Sequence, residues 1–401
     1  MSERVYIIEA LRTPFGNFGG SFKDLEVETL AALVIKELVN RSKIRPDEVD
    51  AVYLGNANSS ENKDVMAAVI ARQALLKAGL PASVISATVD RACCSGTDGI
   101  IRGCDKIRLG DAHVVIAGGA ESMSRIPHVV RNIRWGAKLG NITMEDCIYR
   151  NGYKDYNPVA IDGGEVALEY GVSREEQDQW AYHSQMRYQA AEKEGKFKDE
   201  IMPVEVTDQK KNSIVVDQDE FPKPYTTLEK LRTLSTIYDS PTCTAGNSPG
   251  LNDGASAVIL VSETKLKALG IKPLAEIINC VSAADLPRNI AVVPAIAINK
   301  ALKNTGLNID NLKRIEINEA FAAMPLVSSK ILGDFDAEKT NQIRERTNVN
   351  GGAIAIGHPL GASGARLVMT LAYELRRLGG GYGVAAICGG LAQGDAIMIH
   401  V

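Results

Sequence analysis

Of the seven cysteines in this 401-residue chain, two stand where a thiol can react. Cys93 follows an apolar strand, Val84 to Val89, and precedes a helix opened by Ser95-Gly96. A helix N-terminus stabilises a thiolate through its dipole and its free backbone N–H groups. This is the chemistry of a cysteine nucleophile. Cys94 shares the turn, but the next side chain along should point elsewhere. Cys388 ends the last long apolar run, just before Gly389-Gly390. A thiol among strand-end glycines is expected to face a site, and two such thiols fit proton traffic at two centres. His358 lies in the densest glycine loop, Asn350 to Gly364, where backbone can approach a ligand closely. Of the other histidines, 113, 183 and 400 read as structural or surface residues, and His128 has no assignment. Asn318 ends a strand and begins Asn318-Glu319-Ala320-Phe321-Ala322; its amide can donate to a carbonyl oxygen or hold a water.

The elements that must position these residues occur twice. Helix Leu30 to Leu38, a turn at Asp47 and a strand ending at Asn56 are echoed by helix Ala295 to Leu302, a turn at Asp310 and a strand ending at Asn318. The helix opened by Ser95-Gly96 leads to strand His113–Ala117, closed by Gly118-Gly119; the helix opened by Ser363-Gly364 leads to strand Tyr382–Ile387, closed by Gly389-Gly390. Near-constant spacing predicts a duplicated α/β module of βαβ units on a mostly buried sheet. A pseudo-dyad between the copies could bring Cys93 and His358 together. A less periodic insertion, roughly 121 to 250, carries one clear helix with capping-box spacing at Ser173 and Glu176. An insertion of that length beside Gly-rich strand ends is expected to shape a site.

Composition narrows the partners. A net charge of −4 with 23% charged residues leaves no footprint for nucleic acid and no polybasic membrane patch. No run of 18 apolar residues exists, and the start of the chain does not read as a signal peptide, so a cytoplasmic location is expected. The cysteines show no CxxC pair and no zinc spacing, so no metal is expected, and those outside the site should be reduced structural thiols. The 36 glycines predict many turns or close backbone approaches.

Taken together, the motifs resemble the thiolase family: Cys93-x-Ser95-Gly96, Gly118-Gly119-Ala120-Glu121-Ser122-Met123-Ser124, Gly246-Asn247 with Gly250 to Gly254, Asn318 to Ala322, Gly357 to Gly361 and Cys388-x-Gly390. The resemblance implies an α/β thiolase fold, a duplicated αβαβα five-layer body with an inserted loop domain. It implies one half over 1–120 with 251–272, a lid over 121–250 and a second half over 273–401. Cys93 would attack the 3-keto carbonyl with His358 taking its proton, and Cys388 would protonate the departing enolate. His358, with Asn318 through a water, would hold the enolate oxygen; the N–H groups of Cys93 and Gly390 would hold the tetrahedral oxygen. No tightly bound cofactor is implied. Coenzyme A would be a co-substrate contacted by Lys223, Ala245, Ser248 and Pro249, and Val159, Ala160 and Phe321 would line the acyl pocket. The partners implied are acyl-CoA and CoA, in a homodimer or homotetramer, with an accessory subunit as a further option.

The chain departs from the family pattern at four places. Val159 to Gly164 replaces a Met-Gly-x-Thr-Ala-Glu stretch, Pro249 replaces a small Ser or Ala, Lys223 stands for an Arg, and Leu391-Ala392 replaces two glycines after Gly390. These changes point to a non-standard acyl group: branched, dicarboxylic or aromatic, with benzoylsuccinyl-CoA one example. The alternatives are an acetoacetyl-CoA thiolase, a ketoacyl-synthase-type condensing enzyme and a non-catalytic lipid-binding protein.

Overall fold

The computed structural model describes residues 3–58, 67–149, 153, 155–207 and 210–401; parts of the expected insertion, 150–152, 154 and 208–209, lie outside the described residues. Its centre is a ten-stranded sheet. The order runs Leu312–Ile317, Tyr382–Gly389, Gln393–His400, Ala275–Ala284, Val5–Arg12, Asn252–Ser262, Val114–Ser122, Ala51–Gly55, Ile85–Val89, with a short strand Gly16–Asn17 on Asn252–Ser262. The join is narrow: Val5–Arg12 and Ala275–Ala284 pair antiparallel at Val5, Tyr6 and Ile7 alone.

Both arms are built alike from that join. Val5–Arg12 and Ala275–Ala284 each take an antiparallel neighbour, which pairs antiparallel with a strand whose next partner is parallel. The first arm adds Ile85–Val89 in parallel, whereas the second keeps only an isolated parallel bridge from Ile315 to Thr347. The repeated helix, turn and strand expected from sequence are present as Val27–Arg41, Pro46–Glu48, Ala51–Gly55 and as Val293–Thr305, Ile309–Asn311, Leu312–Ile317. One sequence expectation fails in detail. Gly118 and Gly119 do not close their strand but lie inside Val114–Ser122, pressed against Ser256 and Gly361.

Two helices lie between the arms. Ser95–Arg108 and Leu360–Arg377 pack on each other, and Leu360–Arg377 touches strands of both arms. Every residue from Leu360 to Leu375 is buried, which an exposed amphipathic helix could not be. One apolar cluster joins Ile100 and Ile107 to Val115 and Leu260 on one side and to Val368, Ile387 and Ile397 on the other. Two further clusters cover the outer faces, beneath Val27–Arg41 with Ile70–Lys77 and beneath Val293–Thr305 with Ala323–Leu332. Helix, sheet, helix, sheet, helix is the five-layer order expected.

The insertion is tied down by buried charge. Arg12 pairs with Glu200 at 2.8 Å and with Asp219 at 2.6 Å, and all three side chains are buried. Removing one member of such a cluster typically costs about 3–5 kcal/mol, because a charge is left alone. Helix Arg174–Lys193 starts at the expected capping box, with Ser173 Oγ accepting from Glu176 N at 3.1 Å and Ser173 N donating to Glu176 Oε2 at 3.0 Å.

Candidate active site

Two turns, one from each half, form the floor of the site. After strand Ile85–Val89 the backbone passes through Ala92, a non-glycine residue at φ +50°, which swings Cys93 out ahead of helix Ser95–Arg108. Ser95 Oγ braces this turn, accepting from Arg91 N at 2.8 Å and donating to Ala92 O at 2.6 Å. In the other half, His358 N donates to Asn252 Oδ1 at 2.9 Å, and helix Leu360–Arg377 starts two residues later. The helix starts meet at glycines. A Cβ on Gly96 would lie 2.5 Å from the Gly361 carbonyl oxygen, and one on Gly361 would lie 2.6 Å from the Gly55 carbonyl oxygen. Neither position has room for a side chain, so the two turns can close on one another.

His358 is held at both ring nitrogens. Its Nδ1 lies 2.6 Å from Ser363 Oγ, which donates to Pro359 O at 2.9 Å. Its Nε2 lies 3.3 Å from Asn318 Nδ2, and Asn318 Oδ1 accepts from Arg366 Nη2 at 3.3 Å. Asn318 follows strand Leu312–Ile317, as expected, and its backbone N donates to Ala386 O at 2.9 Å. Glu319 beside it is fully buried and accepts from Trp180 Nε1, Ser184 Oγ, Asn348 Nδ2 and Ile354 N at 2.8–3.0 Å. One carboxylate thus fastens the insertion helix, the Asn318 turn and the loop leading to His358.

Above this floor opens a cavity of about 370 Å³. Cys93, His358, Cys388 and Gly390 all line it, as do Val159, Ala160, Phe321, Lys223, Ala245, Ser248 and Pro249. Asn318 is not among the lining residues; it is fully buried behind the cavity and contacts the lining residue His358. A second cavity of about 450 Å³ shares Lys223, Ala245 and Ser248 with the first and adds Lys230. The Lys223 ammonium sits 4.6 Å from the centre of the Phe221 ring, and burial lowers its pKa.

The electrostatics correct one expectation. A helix N-terminus was expected to favour the Cys93 thiolate, yet burial, with Cys388 and Glu121 nearby, pushes the Cys93 thiol up. Removal from water disfavours the charged form of a thiol. Cys388 is pushed up to about 12 by burial. His358 falls to about 3 through burial and the positive charge of Arg366. The resting site therefore holds two neutral thiols and a neutral imidazole.

Several residues of the site gave no sequence signal of their role. Glu121 is fully buried and accepts from Asn56 Nδ2, Ala57 N, Asn58 N and Gly361 N at 2.8–3.1 Å, fixing the Gly361 turn; burial raises its carboxyl to about 7. It lay within a motif already singled out. Ser363 and Arg366 follow His358 along one helix. Tyr153, from the insertion, places its hydroxyl directly against Gly390, and burial and the nearby Cys93 raise its pKa to about 12. The two residues after Gly390 both adopt the left-handed region, Leu391 at φ +60° and Ala392 at φ +53°.

Known proteins are similar to this chain along its whole length. The thiolase N-terminal domain matches residues 5–264 and the thiolase C-terminal domain residues 271–401. An acetyl-CoA acetyltransferase of Schizosaccharomyces pombe is 41% identical, covering 100% of this chain and 99% of its own. The mitochondrial 3-ketoacyl-CoA thiolase of Homo sapiens is 40% identical over 99% of this chain and 98% of its own. The crystal structure of that human enzyme in complex with CoA superimposes with a TM-score of 0.92 at 39% identity, over 99% of this chain and 98% of that one. With both domains matched in order and full-length relatives at this identity, the chain belongs to the thiolase family.

Proposed function

We propose that the chain is a CoA-dependent thiolase that cleaves, or in reverse forms, a 3-ketoacyl-CoA whose acyl group is larger than acetyl. The observation that carries this reading is one cavity lined by two thiols, a neutral imidazole and the Gly390 backbone. His358 Nε2 takes the Cys93 proton as sulfur attacks the 3-keto carbon. The oxygen of the tetrahedral intermediate is held by the N–H groups of Cys93 and Gly390. Breaking the C2–C3 bond leaves its electron pair on the enolate of the departing acyl-CoA. That enolate oxygen meets the now-protonated Nε2, and the Cys388 thiol supplies the α-proton. Free CoA then gives its proton to the Cys388 thiolate and attacks the acyl-cysteine. Cys93 leaves as a thiolate and recovers its proton from His358. A donor placed for either oxyanion is typically worth about 10²–10³ in rate.

The second cavity, lined by Lys223 and Lys230, suits the phosphate-bearing end of CoA. The apolar lining of the first, which includes Val159, Ile290, Phe321, Met324 and Tyr238, suits a branched or aromatic group, so benzoylsuccinyl-CoA belongs in any substrate panel. Cys388 in the site favours a thiolase over a ketoacyl-synthase-type enzyme, and the retained thiols and imidazole weigh against a non-catalytic lipid binder. Seven unpaired thiols suit a reducing compartment such as the cytoplasm. Trp135 and Leu139, fully exposed on the insertion, support assembly with a further chain, either another copy or an accessory subunit.

The test is a panel of 3-ketoacyl-CoA esters with free CoA, read by thioester release, with intact mass recording the acyl adduct. Turnover of bulky esters with an adduct on Cys93, lost in Cys93→Ala, supports the reading. Turnover of acetoacetyl-CoA alone overturns the acyl-group assignment. Thiolysis that survives Cys93→Ala overturns the mechanism.

A further inference from the structure

Arg366 is fully buried in the central helix, yet it is poorly served as an ion. Its nearest carboxylate, Glu316, stands 3.8 Å away, and among the described residues neither its Nε and Nη1 nor Glu316 Oε2 has a hydrogen-bond partner. A guanidinium kept in the core for stability alone would be expected to make better use of its donors, because burying it is costly. Among the described residues its one side-chain hydrogen bond goes to Asn318 Oδ1.

We propose that Arg366 is a positioning residue that fixes which way round the Asn318 amide sits and thereby holds the His358 proton on Nδ1. The reasoning is a chain of forced roles. Arginine has donors and no acceptor, so the Asn318 atom facing it must be the amide oxygen. That turns the amide nitrogen, which only donates, toward His358 Nε2. Nε2 must then be the unprotonated nitrogen, so the ring proton sits on Nδ1 and is donated to Ser363 Oγ, whose own proton goes to Pro359 O. In this state each of the four contacts from Arg366 Nη2 to Pro359 O pairs a donor with an acceptor. If the amide were flipped, two donors would face each other at Arg366, and Nε2 would have to carry the proton. The site would then lose the Nε2 lone pair, which holds the Asn318 N–H at rest and must release it to take up the Cys93 proton. This inference rests on the reading of His358 as the base.

The experiment uses the full-length protein with ¹⁵N-labelled histidine, His358 being assigned by its loss in His358→Gln. In the wild type the ring should be neutral with its proton on Nδ1. The paired change Arg366→Met with Glu316→Gln leaves no charge buried alone. In it the proton should move to Nε2 or divide between the nitrogens, with kcat falling about 10–100-fold, as when groups that orient a catalytic residue are lost, and KM little changed. Arg366→Lys, which can still donate, should restore most of the Nδ1 tautomer. A folded double variant with the proton still on Nδ1 overturns the proposal. If the double variant does not fold, Asn318→Asp decides. Its carboxylate can only accept, so Nε2 must become protonated; a proton remaining on Nδ1 alone overturns the proposal as well. Should His358→Gln keep full thiolysis, the base assignment falls, while the tautomer result still judges Arg366.

Discussion

Gly96 and Gly361 stand at the starts of two helices from opposite halves, and a methyl on Gly96 would lie 2.5 Å from the Gly361 carbonyl oxygen. Gly96→Ala must push the turns that carry Cys93 and His358 apart. Overpacking of this kind costs about 1–3 kcal/mol, but a misplacement near 1 Å can cost about 100-fold in rate. Activity should therefore fall by about two orders of magnitude while the protein still folds. Gly103→Ala lies on the same helix but meets the side chains of Leu260 and Val115, which can yield. It should lower Tm and spare kcat. Equal activity losses in the two variants would contradict this account.

Leu391 holds a left-handed conformation that costs a non-glycine residue roughly 1–2 kcal/mol. Part of what glycine would relieve is returned as unfolded-chain entropy, about 0.4–1 kcal/mol. Leu391→Gly should thus stabilise the protein by about 0.5–1 kcal/mol in urea unfolding. A loss of stability would mean that the leucine side chain contributes more packing than its backbone costs.

Tyr153 occupies the corner beside Gly390. Tyr153→Ala should enlarge the pocket there. In competition between a short and a bulky 3-ketoacyl-CoA, kcat/KM should shift toward the bulky ester by about tenfold, the scale of one or two apolar groups in a pocket. An unchanged ratio would remove Tyr153 from substrate selection.

His358 couples stability to acid. Its folded pKa of about 3 lies below the ordinary value of about 6.5, so between these pH values the unfolded chain binds a proton that the native state refuses. Stability from this group is complete above pH ~6.5 and is lost toward pH ~3, at up to about 1.4 kcal/mol per pH unit. Glu121 and Glu316, raised to about 7 and about 8, act in the opposite sense, so the wild-type curve alone is ambiguous. The difference between wild type and His358→Gln isolates the histidine. The variant should gain on the wild type as the pH falls from 6.5 to 5. A constant difference would place the proton elsewhere.

The parts legible in the sequence were those with local spacing. Two copies of helix, turn and strand, the capping box at Ser173 and the turn before Ser95 all follow from short-range pattern and appear in the structure. The glycines gave away the loops beside His358 and Cys388. What stayed hidden depends on distant pairs. Nothing near Arg366 says that its partner is Asn318, and nothing near Glu121 says that it collects N–H groups from Ala57, Asn58 and Gly361. The raised thiol pKa was missed because a helix end is visible in the sequence and desolvation is not.

The helix Leu360–Arg377 has a consequence for the birth of the protein. It lies against strands Val114–Ser122 and Asn252–Ser262, yet it is encoded in the last tenth of the chain. While the ribosome is still making the second half, the inner face of the first sheet has no cover from this helix. The nascent chain must carry that greasy surface, with Val115, Ala117 and Leu260 on it, until synthesis is nearly complete. A truncated chain ending before residue 360 would keep its nucleophile and still have no finished core around it.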